Sequence, residues 1–246
     1  MNPHTFMVEK PCPVCLKSSR VIKTRSRLVV EKTDEDFCMH YKDFNPYFYK
    51  IWICEHCGFA TDEKTFLSKL PERIRRKLWD FLAQKQLDIE FVEERTLPDA
   101  IASYQLALSY LDLIEAPPSK KGATNLQLAW IYREQGDKER EEEYMRKAAD
   151  FYDESIMTER YPIGNLTDTG AMYLVGAIYF RLKDYEKCAQ HLSRIIGDQS
   201  LRTREALMFD RARDLWSDVR EIQKKEKEAE EAAKKAQSAA QAQPKK

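Results

Sequence analysis

The sequence predicts an α+β chain that is mainly α, and three observations predict it. Gly and Pro are sparse, 7 and 10 among 246 residues, which argues against a turn-rich all-β fold. Five of the 6 cysteines fall within the first 57 residues, beside two short runs of β-branched and aromatic residues. From Pro71 to Arg220, apolar residues recur at spacings of three and four, the period of an amphipathic helix. The chain therefore divides into a cysteine-rich β head over 1–66, a helical body over 67–222 and a charged tail over 223–246.

In the head, Val21 to Glu31 and Tyr47 to Ile53 read as strands, each beside a cysteine pair. A polar stretch, Thr33 to Asp36, and a turn at Asn45-Pro46 lie between them. In the body, Ala100, Ile101, Tyr104, Ala107, Leu108, Leu111 and Ile114 mark one helix, which Pro117-Pro118 ends. Leu126 to Gln135 follows, stopped by Gly136-Asp137, and then Glu139 to Ile156. Ala171 to Leu182 and Tyr185 to Ile196 make another pair, and Ser200 to Arg220 is the last packed helix. From Lys224 onward there is no apolar stripe, so a fraying helix that runs into disorder is expected.

Charge and hydropathy narrow the function classes. Lys plus Arg equals Asp plus Glu at 41 each, so no global field draws the chain to nucleic acid or a membrane surface. No apolar run approaches the roughly 18 residues of a spanning helix. The first residues lack a basic segment followed by an apolar one, so no secretory leader is expected. These readings place the chain in the cytoplasm. Cysteines there point to metal or free thiols before disulfides.

Cys12-Pro13-Val14-Cys15 and Cys54-Glu55-His56-Cys57-Gly58 are two CxxC pairs. Two intervening residues let a tight turn aim both thiolates at one point, and two such knuckles complete a tetrahedron with Zn–S bonds of roughly 2.3 Å. Gly58 suits the positive φ that commonly follows the last ligand. Cys12, Cys15, Cys54 and Cys57 are thus expected to hold one structural Zn2+, and the head to be zinc-ribbon-like. Four thiolates close the coordination sphere and leave no position for water. Cys38 and His40 would share one strand face and could enter a metal site, alone or with His56; a core thiol beside a polar residue is the preferred reading.

The body carries marks of tetratricopeptide-like repeats, which need a small residue where two helices cross and a polar turn between them. Leu128-Ala129, Tyr132, Gly136-Asp137, Met145 and Ala148 fit that pattern, and Val175-Gly176, Tyr179, Lys183-Asp184-Tyr185, Cys188, Leu192 and Ile195 repeat it. Ala100, Tyr104 and Ala107 suit the second helix of a degenerate upstream unit. Such stacks leave a concave groove, with Asn125, Gln127, Arg133, Tyr173, Phe180 and Arg181 as candidate lining residues. Cys188 is expected to pack at a helix crossing, with His191 at the surface.

The head resembles a bacterial family known only as domain of unknown function number 2225. The resemblance rests on Cys12-Pro13-Val14-Cys15, Arg25-Ser26-Arg27, Asp34-Glu35-Asp36-Phe37-Cys38 with Tyr41 and Asn45-Pro46, and Trp52-Ile53-Cys54-Glu55-His56-Cys57-Gly58-Phe59-Ala60. It implies a cysteine-rich head followed by helices and supplies no activity. Arg25, Arg27, Asp34, Asp36, Tyr41 and Asn45 belong to this pattern and could pair within the head or present a binding surface; internal pairing is the preferred reading.

No glycine-rich phosphate loop, HExxH or GxSxG motif occurs, and there are only 4 histidines. The leading expectation is a non-enzymatic adaptor that docks a protein or peptide in the helical groove, with no catalytic residue. The alternative is nucleic-acid binding through the head. Lys17, Arg20, Lys23, Arg25 and Arg27 run without an acidic interruption, and Tyr47, Phe48, Tyr49 and Trp52 could stack on bases.

Overall fold

The computed structural model describes residues 2–84 and 93–241. The chain forms two compact units, Met1–Glu159 and Arg160–Lys246.

The first unit opens with three antiparallel β hairpins among the described residues. Strands β1 (Thr5–Pro11) and β2 (Ser18–Thr24) pair with Val8 opposite Val21. Strands β3 (Val30–Thr33) and β4 (Met39–Tyr41) form the second hairpin, and β5 (Ile51–Ile53) and β6 (Ala60–Asp62) the third. Each CxxC pair sits in the turn of a hairpin, Cys12 and Cys15 between β1 and β2, Cys54 and Cys57 between β5 and β6.

Two strand expectations change. The run from Val21 to Glu31 divides between β2 and β3, with residues 25–29 outside both strands. The Tyr47 to Ile53 run begins as a 3-10 turn, Pro46–Tyr49, and only Ile51–Ile53 is strand. Pro46 and the Asn45 side chain, which accepts from the Tyr47 N–H at 2.8 Å, impose the turn over the β preference of the aromatic residues.

Helices α1 (Glu63–Phe66), α2 (Glu72–Gln84), α3 (Leu97–Leu113), α4 (Pro118–Gln135) and α5 (Lys138–Thr158) complete the unit. A Thr96/Asp99 capping box starts α3. Pro118 begins α4, so the helix opens eight residues before the expected Leu126. Its first turns, Ser119-Lys120-Lys121-Gly122, carry no apolar signal. Gly136, left-handed at φ 79°, caps α4, and the Asp137 side chain accepts from Arg140 N–H to start α5. The two helices pack along each other as a hairpin. One continuous core runs from Cys12, Val14 and Val21 through Trp52, Phe59 and Phe66 to Leu78, Tyr104, Tyr110, Leu128 and Tyr132. The sequence boundary at 66/67 falls inside this shared core.

The second unit comprises α6 (Asp168–Arg181), α7 (Tyr185–Gly197), α8 (Leu201–Arg204) and α9 (Ala206–Gln241). Helices α6 and α7 pair across the Lys183-Asp184 turn, and α9 packs on both. Gly176 permits the close approach, because a Cβ there would lie 2.9 Å from Leu192 Cδ2. Helix α9 continues into the charged tail, where a fraying helix is expected, as far as Gln241. Ion pairs one turn apart, Lys225 with Glu221 and Lys224 with Glu228, replace the missing apolar stripe as its support. Among the described residues, no helix is long and apolar enough to cross a membrane.

Candidate metal centre

The two knuckles are built alike. Leu16 N–H donates to Cys12 C=O at 2.9 Å, and Gly58 N–H to Cys54 C=O at 2.8 Å. Both closing residues have positive φ, 64° at Leu16 and 76° at Gly58. Cys12 N–H donates to Lys17 C=O and Cys54 N–H to Phe59 C=O, each at 2.9 Å, which locks each knuckle to its hairpin.

Side chains tie one knuckle to the other hairpin. Arg20 on β2 holds Glu55 through Nη2–Oε2 at 2.6 Å, and Glu55 N–H donates to Ser19 Oγ at 3.1 Å. His56 Nε2 donates to Ser18 C=O at 2.7 Å. His56 is therefore a brace outside the cluster.

The four sulfurs converge. Cys12 and Cys57 Sγ are 3.7 Å apart, Cys15 and Cys54 Sγ are 3.6 Å apart, and all four lie within 4.8 Å of one another. A regular tetrahedron with metal–sulfur bonds of about 2.3 Å has edges of about 3.8 Å, whereas a disulfide needs about 2.05 Å. The donor set fits a metal ion.

Protonation points the same way. Hydrogen bonds from Cys12 and Cys57 pull the Cys54 thiol well below its ordinary value. Cys12 is pushed up to about 12, chiefly by its hydrogen bond with Cys54. Cys57 is driven up by hydrogen bonds with Cys12 and Cys54 and by burial. Thiols packed this closely oppose one another's ionisation unless a cation stands between them. A bound cation lets all four ionise.

A second polar cluster joins the β3–β4 hairpin to α4. Arg133 is buried and reaches Asp34 Oδ2 at 2.9 Å, Asp36 at 2.6 and 3.1 Å, and Glu141 Oε1 at 2.7 Å. Trp130 Nε1 donates to Asp36 Oδ2 at 3.0 Å. Burial opposes ionisation of Asp34, but hydrogen bonds from Lys32 and His40 and the nearby charge of Arg133 hold its carboxyl below the usual range. Asp34 pairs within the head, with Lys32 and His40, and also reaches Arg133 of α4, whereas Asp36 takes its cationic partner from α4. The sequence offered no sign of this clamp, since 97 positions separate Arg133 from Asp36.

The other singled-out residues fall mostly into packing roles. Asn125 and Tyr173 are buried, Arg133 is spent on the clamp, and Gln127 accepts from the Tyr104 hydroxyl at 3.1 Å. Phe180 is half-buried and Arg181 exposed. Cys188 is fully buried, and burial pushes its thiol up to about 12. His191, expected at the surface, is half-buried and stacks on Tyr179. Tyr47, Tyr49 and Trp52 belong to the core. Arg20 and Lys23 are paired with Glu55 and Glu63, and Arg25 Nε donates to Pro3 C=O. Asn45 bonds Glu134 of α4.

These features define an α+β protein whose two hairpin knuckles bring four cysteines together against a helical core. The chain belongs to the bacterial family described as uncharacterized protein conserved in bacteria, DUF2225, which matches residues 7–219. The comparisons found no matching curated protein and no matching solved structure.

Proposed function

We propose that this protein is a non-enzymatic adaptor of the cytoplasm, with a structural zinc ion in the Cys12, Cys15, Cys54, Cys57 cluster and helix pairs of tetratricopeptide-like type. Zinc suits four thiolates in a closed sphere, and a reducing compartment keeps those thiols available to it. The α4–α5 and α6–α7 pairs, with small residues Ala129 and Gly176 inside them, support the repeat reading.

The observation that carries the docking role is Leu16. It occupies the left-handed position that Gly58 fills in the other knuckle, and it is 66% exposed. A branched residue there costs roughly 1–2 kcal/mol and gains nothing from burial. Beside it a cleft of about 330 Å³ opens between Val14 and Cys15 of the knuckle and Arg75, Arg76 and Trp79 of α2. Trp79 is 45% exposed. An apolar, strained knuckle tip that follows directly on the cleft residues Val14 and Cys15, with an exposed tryptophan in the same cleft, fits a partner protein that supplies an apolar side chain.

The test places a photo-crosslinking residue at Trp79 in the full-length chain in cells. A discrete protein adduct is expected, lost on Leu16→Gly. Leu16→Gly is also expected to raise the melting temperature, since it relieves the strain. Adducts no different from those at the exposed control position Met157 would refute the docking role.

Nucleic-acid binding by the head draws less support, because Tyr47, Tyr49 and Trp52 are core and Arg20 and Lys23 are paired.

A further inference from the structure

The turn of the β3–β4 hairpin gathers three different metal-binding groups. Asp34, Cys38 and His40 place a carboxylate oxygen, a sulfur and an imidazole nitrogen within 4.8 Å of one another. The hairpin fixes this arrangement. Asp34 N–H donates to Cys38 C=O at 2.8 Å, Phe37 N–H donates to Asp34 C=O at 3.0 Å, and Phe37 takes a φ of 66° at the turn. A three-residue return thus brings residues 34 and 38 face to face, and strand alternation puts His40 on the side of Cys38.

We propose that Asp34, Cys38 and His40 form a metal site separate from the four-cysteine cluster, open on one side and selective for divalent ions of the zinc and cobalt class. One sulfur, one nitrogen and one oxygen make a borderline donor set, which disfavours Mg2+ and Ca2+. His40 Nε2 and Asp34 Oδ2 stand 2.7 Å apart and share a proton. That proton occupies the line between two ligands, and a cation that binds there displaces it. The carboxylate is already held by outer partners: Arg133 donates to Oδ2 at 2.9 Å and Lys32 Nζ lies 2.7 Å from Oδ1. Such outer partners are the usual support of a ligating carboxylate.

The geometry also separates this site from the knuckle centre in kind. Asp34 and Cys38 are buried, whereas the His40 side chain is 43% exposed. Cys38 and His40 line a cleft of about 600 Å³ with Tyr41, Phe44, Trp130 and Arg133. Three protein ligands leave a fourth position, which the cleft beside Cys38 and His40 can supply. The ion there exchanges with solvent, and a Lewis-basic group of a cleft ligand can complete its sphere.

The test first fills the four-cysteine cluster of the full-length protein with one equivalent of Zn2+, which gives no sulfur-to-cobalt absorption. It then adds Co2+ and counts ions per chain by native mass spectrometry, alongside that absorption in the near ultraviolet. Wild type is expected to hold one more ion than Cys38→Ser, with a cobalt–thiolate band that Cys38→Ser lacks. His40→Gln, at a half-exposed position that leaves the fold intact, is expected to weaken this extra ion at least about 100-fold. An equal ion count in wild type and both variants would overturn the site, as would an extra ion whose affinity His40→Gln leaves unchanged.

Discussion

Replacing Arg133 with Met tests whether the clamp between the β3–β4 hairpin and α4 holds the first unit together. Methionine keeps most of the aliphatic stem and deletes the guanidinium. Four hydrogen bonds to carboxylates go with it, to Asp34, twice to Asp36 and to Glu141, and a fifth to Met145 Sδ. The Asp36 side chain is 1% exposed and Arg133 7%. Asp36 would then keep the Trp130 N–H and the long Cys38 N–H contact, without its cationic partner.

Breaking a buried ion pair from one side costs about 3–5 kcal/mol, because a charge is left desolvated. For a unit of this size each kcal/mol lowers the melting temperature by about 2–4 °C, so the loss should be about 6–20 °C. The assay is tryptophan fluorescence in a Trp216→Phe background, which leaves Trp52, Trp79 and Trp130, all in the first unit, as reporters. Asp36→Asn is expected to cost less in the Arg133→Met background than alone, with a coupling of about 0.5–3 kcal/mol. A melting temperature within about 3 °C of wild type would show that the pair behaves like an exposed one, and the reasoning from burial would fail.

Removing the metal from the four-cysteine cluster, by strong chelation or by Cys54→Ser, should release one zinc per chain and strip amide protection from β1, β2, β5 and β6 in hydrogen exchange. The expected loss is large, since structural zinc binding in small folds amounts to about 10–16 kcal/mol at neutral pH; retained protection would remove the structural role. Gly176→Ala should destabilise the second unit by about 1–3 kcal/mol in urea unfolding, because its Cβ would meet Leu192 Cδ2 at 2.9 Å; a neutral effect would mean that Leu192 has room to move.

The sequence made some of this visible and hid the rest for identifiable reasons. Two CxxC pairs are local signals, so the four sulfurs could be named before their distances were known. The helices announced themselves through period, and Gly136 and Lys183-Asp184 marked the turns correctly. Strand β1 went unread because Phe6, Met7 and Val8 are consecutive apolar residues and mask the alternation. Helix α4 seemed short because its first turns are polar. Candidate groove residues were chosen by position in a repeat, yet Asn125 and Tyr173 are buried and the Arg133 side chain is covered, because neighbouring elements lie over the faces that carry them. The Asp34, Cys38, His40 grouping was half legible: the cysteine and histidine stood out, but the aspartate that completes the set looked like one more acidic residue.

The least legible feature is the one that organises the first unit. A head of some sixty residues with three two-stranded hairpins has little core of its own, since isolated hairpins are marginal. Its missing half comes from the helices. Tyr104 and Tyr110 of α3 donate their hydroxyls to the carbonyls of Tyr47 and Gly58, each at 3.0 Å. Arg95 donates to the carbonyls of Phe48 and Ile51 at 3.1 and 2.6 Å. Arg75 of α2 reaches Val14 C=O inside the first knuckle at 3.4 Å. Phe59 and Phe66 stack against each other, and Phe59 packs on Tyr110. Tyr110 of α3 and Arg75 of α2 thus complete the hydrogen bonding of the very turns that aim the cysteines. Order would therefore travel both ways: an ion bound in the cluster would stiffen the surface on which α2 and α3 pack, and those helices keep the two knuckles at the spacing an ion requires.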